Sequence, residues 1–344
     1  MTIGWALLGP GRHADTNVAP QMKKAADAKM VAVFSRDRTR GEAFAKKHGF
    51  GRVHTSLAEV LADPEIDALY DCTPDGFHAD NAVAAAAAKK HILIEKPLAI
   101  SSKDCVRAIE ACRRAGVTLG VVYQQRHEEA HQQARRMIAA GEIGDVHLAR
   151  VQVNLRPLTA APTPPVGGNW RADPKMRYGG ALMSLGDHAF DTLSYIVDQR
   201  IEEITAFTNA TQTDPPNERV ASMLLKLSKG AIGHASSSGA TPFARRPIEI
   251  HGSKGSILID NSFAYLTGAG EDPRVSLELV NAAGRNTRHY EPTECFRLEV
   301  EQFGRAIEGK GAPMTTADEG RRAMAISEKF YEAMRSGQVA RAPD

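Results

Sequence analysis

Short apolar runs and longer stretches of helical spacing alternate along the first 122 residues. Thr2 to Leu8, Met30 to Phe34, Ile66 to Asp71, Ile92 to Ile94 and Val117 to Val122 are largely apolar runs, as strands buried on both faces are, and a further short strand is expected near Val53. Between them Thr16 to Asp27, Arg38 to His48, Ser56 to Ala62, Asp75 to about Lys90 and Ser101 to Ala115 have helical spacing, with Ser101 as a cap. The alanines from Ala84 to Ala88 express high helix propensity rather than low complexity. This alternation predicts an α/β fold with a doubly wound parallel sheet over residues 1–123.

From Tyr123 the pattern changes. Residues 123–127 lead into a helix to about Ala140, a glycine turn follows, and Val146 to Leu155 reads as a long strand. A Pro/Gly-rich stretch, Pro157 to Asn169, is long enough for a functional loop. Ala181 to about Val197 has helical spacing, and Ile204 to about Tyr290 alternates as antiparallel strands covered on one face do. Two amphipathic helices, about Thr293 to Glu308 and Ala317 to Met334, close the chain, with a frayed tail expected from Gly337. Residues 124–344 therefore read as a second domain, an α/β unit on a mainly antiparallel sheet.

Composition narrows the function classes. At 344 residues the chain suits two domains, and 43 Lys and Arg against 41 Asp and Glu leave almost no net charge. No basic run with interleaved aromatics argues for nucleic acid, and no window approaches a membrane span. The chain starts directly on an apolar strand without a basic leader, so a cytoplasmic location is expected. The four cysteines, Cys72, Cys105, Cys112 and Cys295, make no CxxC and read as reduced packing residues.

In an open α/β sheet ligands bind outside the carboxyl ends of the strands, and four candidate loops fall there. Gly9-Pro10-Gly11-Arg12-His13-Ala14 is a G-x-G-x-x-A fingerprint between strand and helix. Gly9 permits the turn, Gly11 lets a pyrophosphate approach the helix N-terminus, Ala14 lets helix and strand pack, and Arg12 and His13 are further cofactor contacts. The second strand ends in Ser35-Arg36-Asp37, where Ser35 and Arg36 could donate to a 2′-phosphate and favour NADP; alternatively Asp37 reaches the ribose of NAD. Thr73-Pro74, after the fourth strand, are placed to present backbone to the nicotinamide half of a cofactor, and His78 is a further candidate cofactor contact. Glu95-Lys96-Pro97 follows the fifth, placing Lys96 where it can hydrogen-bond a reacting oxygen, with Glu95 and Lys96 also candidate cofactor contacts.

In the second domain Ser184, His188 and Asp191 stand at i, i+4 and i+7 on one helix face. Alcohol oxidation sends a hydride to a nicotinamide and a proton elsewhere, and His188 is the side chain that titrates near neutrality. His188 with Asp191 is too small a set for a metal site. Arg126, Trp170, Arg171, Tyr178, Ser184 and Asp191 are candidates to line a polar substrate pocket, with Trp170 suited to stack on a sugar face. Asp191 orients the His188 ring or supports its helix.

The fingerprint, Thr73-Pro74 with His78, Glu95-Lys96-Pro97, Trp170-Arg171, Gly179-Gly180, Gly186-x-His188-x-x-Asp191 and Gly252-Ser253-Lys254-Gly255-Ser256 together resemble the glucose-fructose oxidoreductase/inositol dehydrogenase/rhizopine-catabolism (Gfo/Idh/MocA) family. The resemblance implies an N-terminal Rossmann domain and a C-terminal α/β domain whose large open sheet makes a homodimer or homotetramer. It also implies NAD(P)-linked oxidation or reduction of sugars and polyols, with Lys96 and His188 as the catalytic pair. Many members carry Asp four residues before the histidine, where this chain has Ser184, which hydrogen-bonds without carrying charge. Two other readings stand beside the dehydrogenase: a dinucleotide-binding regulator of the same fold, and an enzyme that retains and recycles its cofactor.

Overall fold

The computed structural model describes residues 1–154, 170, 173, 175–177, 179–211, 216–241, 246–264 and 272–342. They form two compact units, one of residues 1–124, 170–177 and 294–324, the other of residues 125–169, 178–293 and 325–344.

The first unit is built on six parallel strands: β1 (Ile3–Leu8), β2 (Ala28–Phe34), β3 (Arg52–His54), β4 (Ala68–Asp71), β5 (His91–Glu95) and β6 (Leu119–Val122), in the order β3-β2-β1-β4-β5-β6. The order reverses between β1 and β4, which opens the crevice expected of a doubly wound sheet. Trp5, Leu7, Tyr70 and Leu93 are all fully buried, in keeping with the apolar runs.

The helix after β1 departs from the expected span. Its first turns include a π-turn, Ala14–Val18, in which Ala19 N–H reaches the Ala14 carbonyl, and α1 (Ala19–Met22) ends well before Asp27. Pro20 is the physical reason for irregularity: it offers no N–H to the turn below and is tolerated only near a helical start. The helices α2 (Arg38–His48), α3 (Leu57–Ala62), α4 (His78–Ala87) and α5 (Ser102–Ala115) lie where the spacing put them, and Ser101 caps α5 by accepting from Asp104 N–H.

Two later segments return to this unit. Helix α8 (Cys295–Ile307), the eighth after α6 (Glu129–Ala139) and α7 (Asp187–Val197) of the second unit, buries Phe296, Val300 and Phe303 in the same core as Trp5. The Trp5 and Phe303 rings lie 5.7 Å apart, and Gly120 makes room for Phe303, since a Cβ there would stand 2.9 Å from its ring. Lys175 and Met176 pack on the turn before α4, where Gly76 N–H donates to the Met176 carbonyl over 2.9 Å.

Among the described residues the second unit has nine strands: β7 (Val146–Asn154), β8 (Ile201–Thr208), β9 (Val220–Leu227), β10 (Ile232–Ser238), β11 (Ile248–Gly252), β12 (Gly255–Asp260), β13 (Val275–Asn281), β14 (Gly284–Tyr290) and β15 (Ala340–Arg341). Their order is β14-β13-β12-β11-β7-β10-β9-β8-β15, antiparallel except for the parallel pair β7 and β10. Inner-face Val151, Ala235 and Met223 are buried, with α7 packed over β7 and β10, while Leu148, Ile232, Leu224 and Phe207 stay exposed on the outer face. The tail expected to fray instead adds β15 to this sheet, with Ala340 paired to Ile204 and buried. An unpaired edge strand, β8, supplies the backbone groups that order it.

Candidate active site

In the first unit the turn after β1 is shaped for close approach. Gly9 has φ +83°, and a Cβ on it would lie 2.9 Å from the Cys72 carbonyl oxygen, so the tips of β1 and β4 touch through its backbone. At Gly11 a Cβ would meet nothing within 4 Å, which leaves the mouth of the loop open. Asp15 N–H donates to the Gly11 carbonyl, so by helix geometry the N–H groups of Arg12, His13 and Ala14 precede any intrahelical acceptor and point toward that space. Such a cradle fits a dinucleotide pyrophosphate.

His13 and Glu95, both named above as cofactor contacts, hold one another. The His13 Nε2 lies 3.0 Å from Glu95 Oε1, and its Nδ1 lies 3.0 Å from Asn17 Nδ2, so Nε2 carries the proton that goes to the carboxylate. Tyr70 donates its hydroxyl to the same oxygen over 3.0 Å. Burial raises the Glu95 carboxyl, but His13 beside it and the two hydrogen bonds more than offset this and hold it below the usual carboxylate range. Glu95 thus ties the β1 loop to the tip of β5, next to Lys96, which is half-buried.

At the tip of β2, Ser35 is buried and donates its hydroxyl to the Asp37 carbonyl at 2.7 Å. Asp37 turns its carboxylate to cap α2, accepting from Arg40 N–H at 3.0 Å. Arg36 is exposed, with its side chain turned out to solvent. At the tip of β4, Thr73 donates its hydroxyl to Asp71 Oδ1 at 2.6 Å, and Asn81 donates to Asp71 Oδ2 at 2.8 Å. His78 is buried, with Nδ1 2.7 Å from the Pro97 carbonyl oxygen and Nε2 2.9 Å from that of Thr73. Trp170, half-buried, belongs to this unit as well, whereas Arg171 and Tyr178 and the loop 157–169 lie outside the described residues.

In the second unit His188 is buried near the start of α7. The helix opens with a π-turn, Leu182–Gly186, in which Asp187 N–H reaches the Leu182 carbonyl. Ser184 lies within that turn, and its hydroxyl donates to the Gly180 carbonyl at 3.1 Å. Asp191 and Arg126, read above as separate substrate contacts, form a buried bidentate pair. Arg126 Nη2 and Nε donate to the two Asp191 oxygens at 2.6 and 3.1 Å, and the guanidinium lies 5.2 Å from the Tyr195 ring centre. The carboxylate that was a candidate to orient His188 therefore anchors its helix to the turn before α6.

Glu218 was missed by sequence reasoning. It is buried, and its Oε1 accepts from Gly180 N–H, Leu182 N–H and the Tyr331 hydroxyl at 2.9, 3.0 and 2.8 Å. Gly179 and Gly180 make the arrangement possible: a Cβ on Gly179 would strike the Tyr331 hydroxyl and one on Gly180 the Glu218 carbonyl oxygen. The glycine pair was the available signal, but its partners lie 38 and more residues away in sequence. Among the described residues no group of three or more His, Cys, Asp or Glu side chains is set to hold a metal, and no helix is long and apolar enough to cross a membrane.

Comparison with known proteins places this geometry in context. Residues 3–123 match the family described as "Oxidoreductase family, NAD-binding Rossmann fold", and residues 131–258 match the "GFO/IDH/MocA C-terminal domain". The chain is 30% identical to "1,5-anhydro-D-fructose reductase" of Ensifer adhaerens over 98% of its own length and 97% of the relative's. It is 28% identical to "D-xylose 1-dehydrogenase (NADP(+)) 2" of Haloferax volcanii over 97% and 98%. Among solved structures, an aldose-aldose oxidoreductase from Caulobacter crescentus complexed with glycerol has the same fold, with a TM-score of 0.87 at 22% identity over 99% of this chain and 100% of that one.

Proposed function

The chain belongs to the GFO/IDH/MocA oxidoreductase family, and from that premise we propose that it transfers a hydride between a nicotinamide dinucleotide and a hydroxyl or carbonyl of a sugar, polyol or related small molecule. One observation carries the reading: the β1 turn closes on β4 through Gly9 while the space above Gly11 stays open before a helix N-terminus. A dinucleotide held there by its pyrophosphate would supply a nicotinamide as the hydride donor or acceptor. The remaining work falls to side chains. Lys96 hydrogen-bonds the reacting oxygen and stabilises the negative charge that develops on it. His188 carries the proton, and the Arg126–Asp191 pair and Glu218 fix the helix that bears it.

The cofactor preference in this proposal is NADP. With Asp37 spent on capping and Ser35 on a backbone carbonyl, Arg36 is left to meet a 2′-phosphate, and the Haloferax relative is named for NADP(+). Polyhydroxy substrates are supported by the names of the relatives, and Trp170, Arg171, Tyr178 and Ser184 are the side chains proposed to meet them. The exposed apolar outer face of the second unit, with Leu148, Ile232, Leu224 and Phe207, supports a homodimer or homotetramer through this sheet. An unchanged sedimentation coefficient in Phe207→Glu together with Leu224→Glu would remove that part.

The test of the whole is fluorescence titration with NADPH and NADH, with Arg36→Ala beside the native chain. Loss of a charge-assisted phosphate contact should weaken NADPH roughly tenfold or more and leave NADH little changed. Native preference for NADH would overturn the phosphate reading. Binding of neither cofactor by folded protein would overturn the function. Unchanged turnover in Lys96→Ala on an accepted substrate would remove Lys96 from the mechanism.

A further inference from the structure

We propose that His78 is a positioning residue held as an imidazolium, whose two ring N–H groups staple the tip of β4 to the tip of β5 and so aim Thr73-Pro74 and Lys96 together. The inference rests on the function proposed above for what those tips do, but its chemistry rests on two distances. Nδ1 lies 2.7 Å from the Pro97 carbonyl oxygen and Nε2 lies 2.9 Å from the Thr73 carbonyl oxygen. A carbonyl oxygen only accepts. Neutral imidazole has one N–H and would turn a lone pair on one of the two oxygens, whereas the imidazolium donates to both. The ring is 1% exposed, so no solvent competes for either bond.

The surroundings support the charge. Asp71, at the end of β4, and Asp75, in the turn before α4, are the carboxylates that act on the ring. Lys175 and Met176, packed on Gly76 of the same turn, bring the exposed Lys175 side chain and, next in the chain, half-buried Arg177. Helix α5, packed along α4, buries Cys105, Ala108, Ile109 and Cys112, with the Cys112 thiol pushed up to about 11 by burial, and its Arg107 pairs with Asp80 of α4 at 2.8 Å and with Asp104 at 3.2 Å, so the charges on this side offset one another. Burial works against the imidazolium, but the two carboxylates and the two carbonyls together raise the ring above its ordinary value. The same carboxylate, Asp71, also receives Thr73 N–H, Thr73 hydroxyl and Asn81, so one negative group orders the β4 tip and favours the cation that clamps it to β5.

This explains why His78, a candidate cofactor contact from its place in the sequence, is buried beneath the loops instead of facing a ligand. It also makes separate predictions for the two bonds. An asparagine amide at 78 can take the place of Nδ1 and keep the Pro97 bond, while a glutamine amide can take the place of Nε2 and keep the Thr73 bond. His78→Asn should therefore mainly raise the KM for the dinucleotide, and His78→Gln should mainly lower kcat, each by roughly ten- to a hundredfold.

The experiment is a side-chain nitrogen-proton correlation spectrum of the native protein across pH 6 to 9, with steady-state kinetics of both variants. Two ring protons on His78 persisting above its ordinary titration range, together with the KM-against-kcat split, is the expected result. A neutral, singly protonated ring at pH 7, or two variants with the same kinetic defect, would overturn the proposal with the enzyme intact. Failure of the native protein to bind either dinucleotide would instead overturn the function while leaving the two-proton spectrum to decide the staple.

Discussion

Two buried histidines hold backbone turns by the same kind of bond in opposite charge states. In the first unit His78 is flanked by Asp71 and Asp75, and its ring is raised in pKa. In the second unit His131 is 0% exposed and donates through Nδ1 to the Gln125 carbonyl at 2.8 Å, beside the Phe263 ring. Burial dominates there, and the ring is pushed down to about 4. Where the first unit puts positive charge in the histidine, the second puts it one residue beyond Gln125, in the buried pair of Arg126 with Asp191. Burial alone thus does not set a histidine's charge; the carboxylates that share its pocket do.

The largest effect should come from breaking the charge pair that stands in for a charged histidine in the second unit. Asp191→Ala leaves Arg126 buried without its bidentate partner and should cost about 3–5 kcal/mol, read by urea denaturation. Asp191→Asn, which keeps one acceptor, should cost less. Equal stability of Asp191→Ala and the native chain would mean that the pair does not anchor the helix.

Next in size is the response to acid. His131 is neutral when folded and titrates near its ordinary value when unfolded, so the unfolded chain binds more protons between these limits. Stability should fall as pH drops from about 6.5 toward 4, by up to about 3 kcal/mol from this residue. His78 has the opposite sign. Its raised value means that its stabilisation is complete below about pH 6.5 and fades as pH rises through the folded value. Thermal melts of His131→Gln should flatten the acid limb and those of His78→Gln the alkaline limb; exchange of the two limbs would reverse the comparison.

The smallest effect tests whether a carboxylate can position a helix without a charged partner. Glu218→Gln retains an acceptor for Gly180 N–H and Leu182 N–H and should lose less than about 1 kcal/mol, whereas Glu218→Ala orphans both and should lose about 1–3 kcal/mol. On an accepted substrate, Glu218→Ala should lower kcat more than it changes the KM for the dinucleotide. A larger effect on dinucleotide KM would assign Glu218 to the wrong unit's work.

The sequence by itself determined the six-stranded parallel sheet, the fingerprint turn, the strand-end lysine and the cap of α5, because each depends on residues a few positions apart. Unbroken apolar runs specify strands covered on both faces, and Gly9 and Gly11 mark their turn wherever the rest of the chain goes. Pairings across long sequence separations were decided by the tertiary structure. Asp191 meets Arg126 from 65 residues away and Glu218 meets Tyr331 from 113, and α8 joins the Trp5 core from the far end of the chain. A polar side chain's partner is fixed by which elements pack against it, and periodicity within one element carries no record of its neighbours. For that reason His78 was legible as part of a site, while its charge, set by Asp71, Asp75 and two carbonyl oxygens, became visible only in the folded chain.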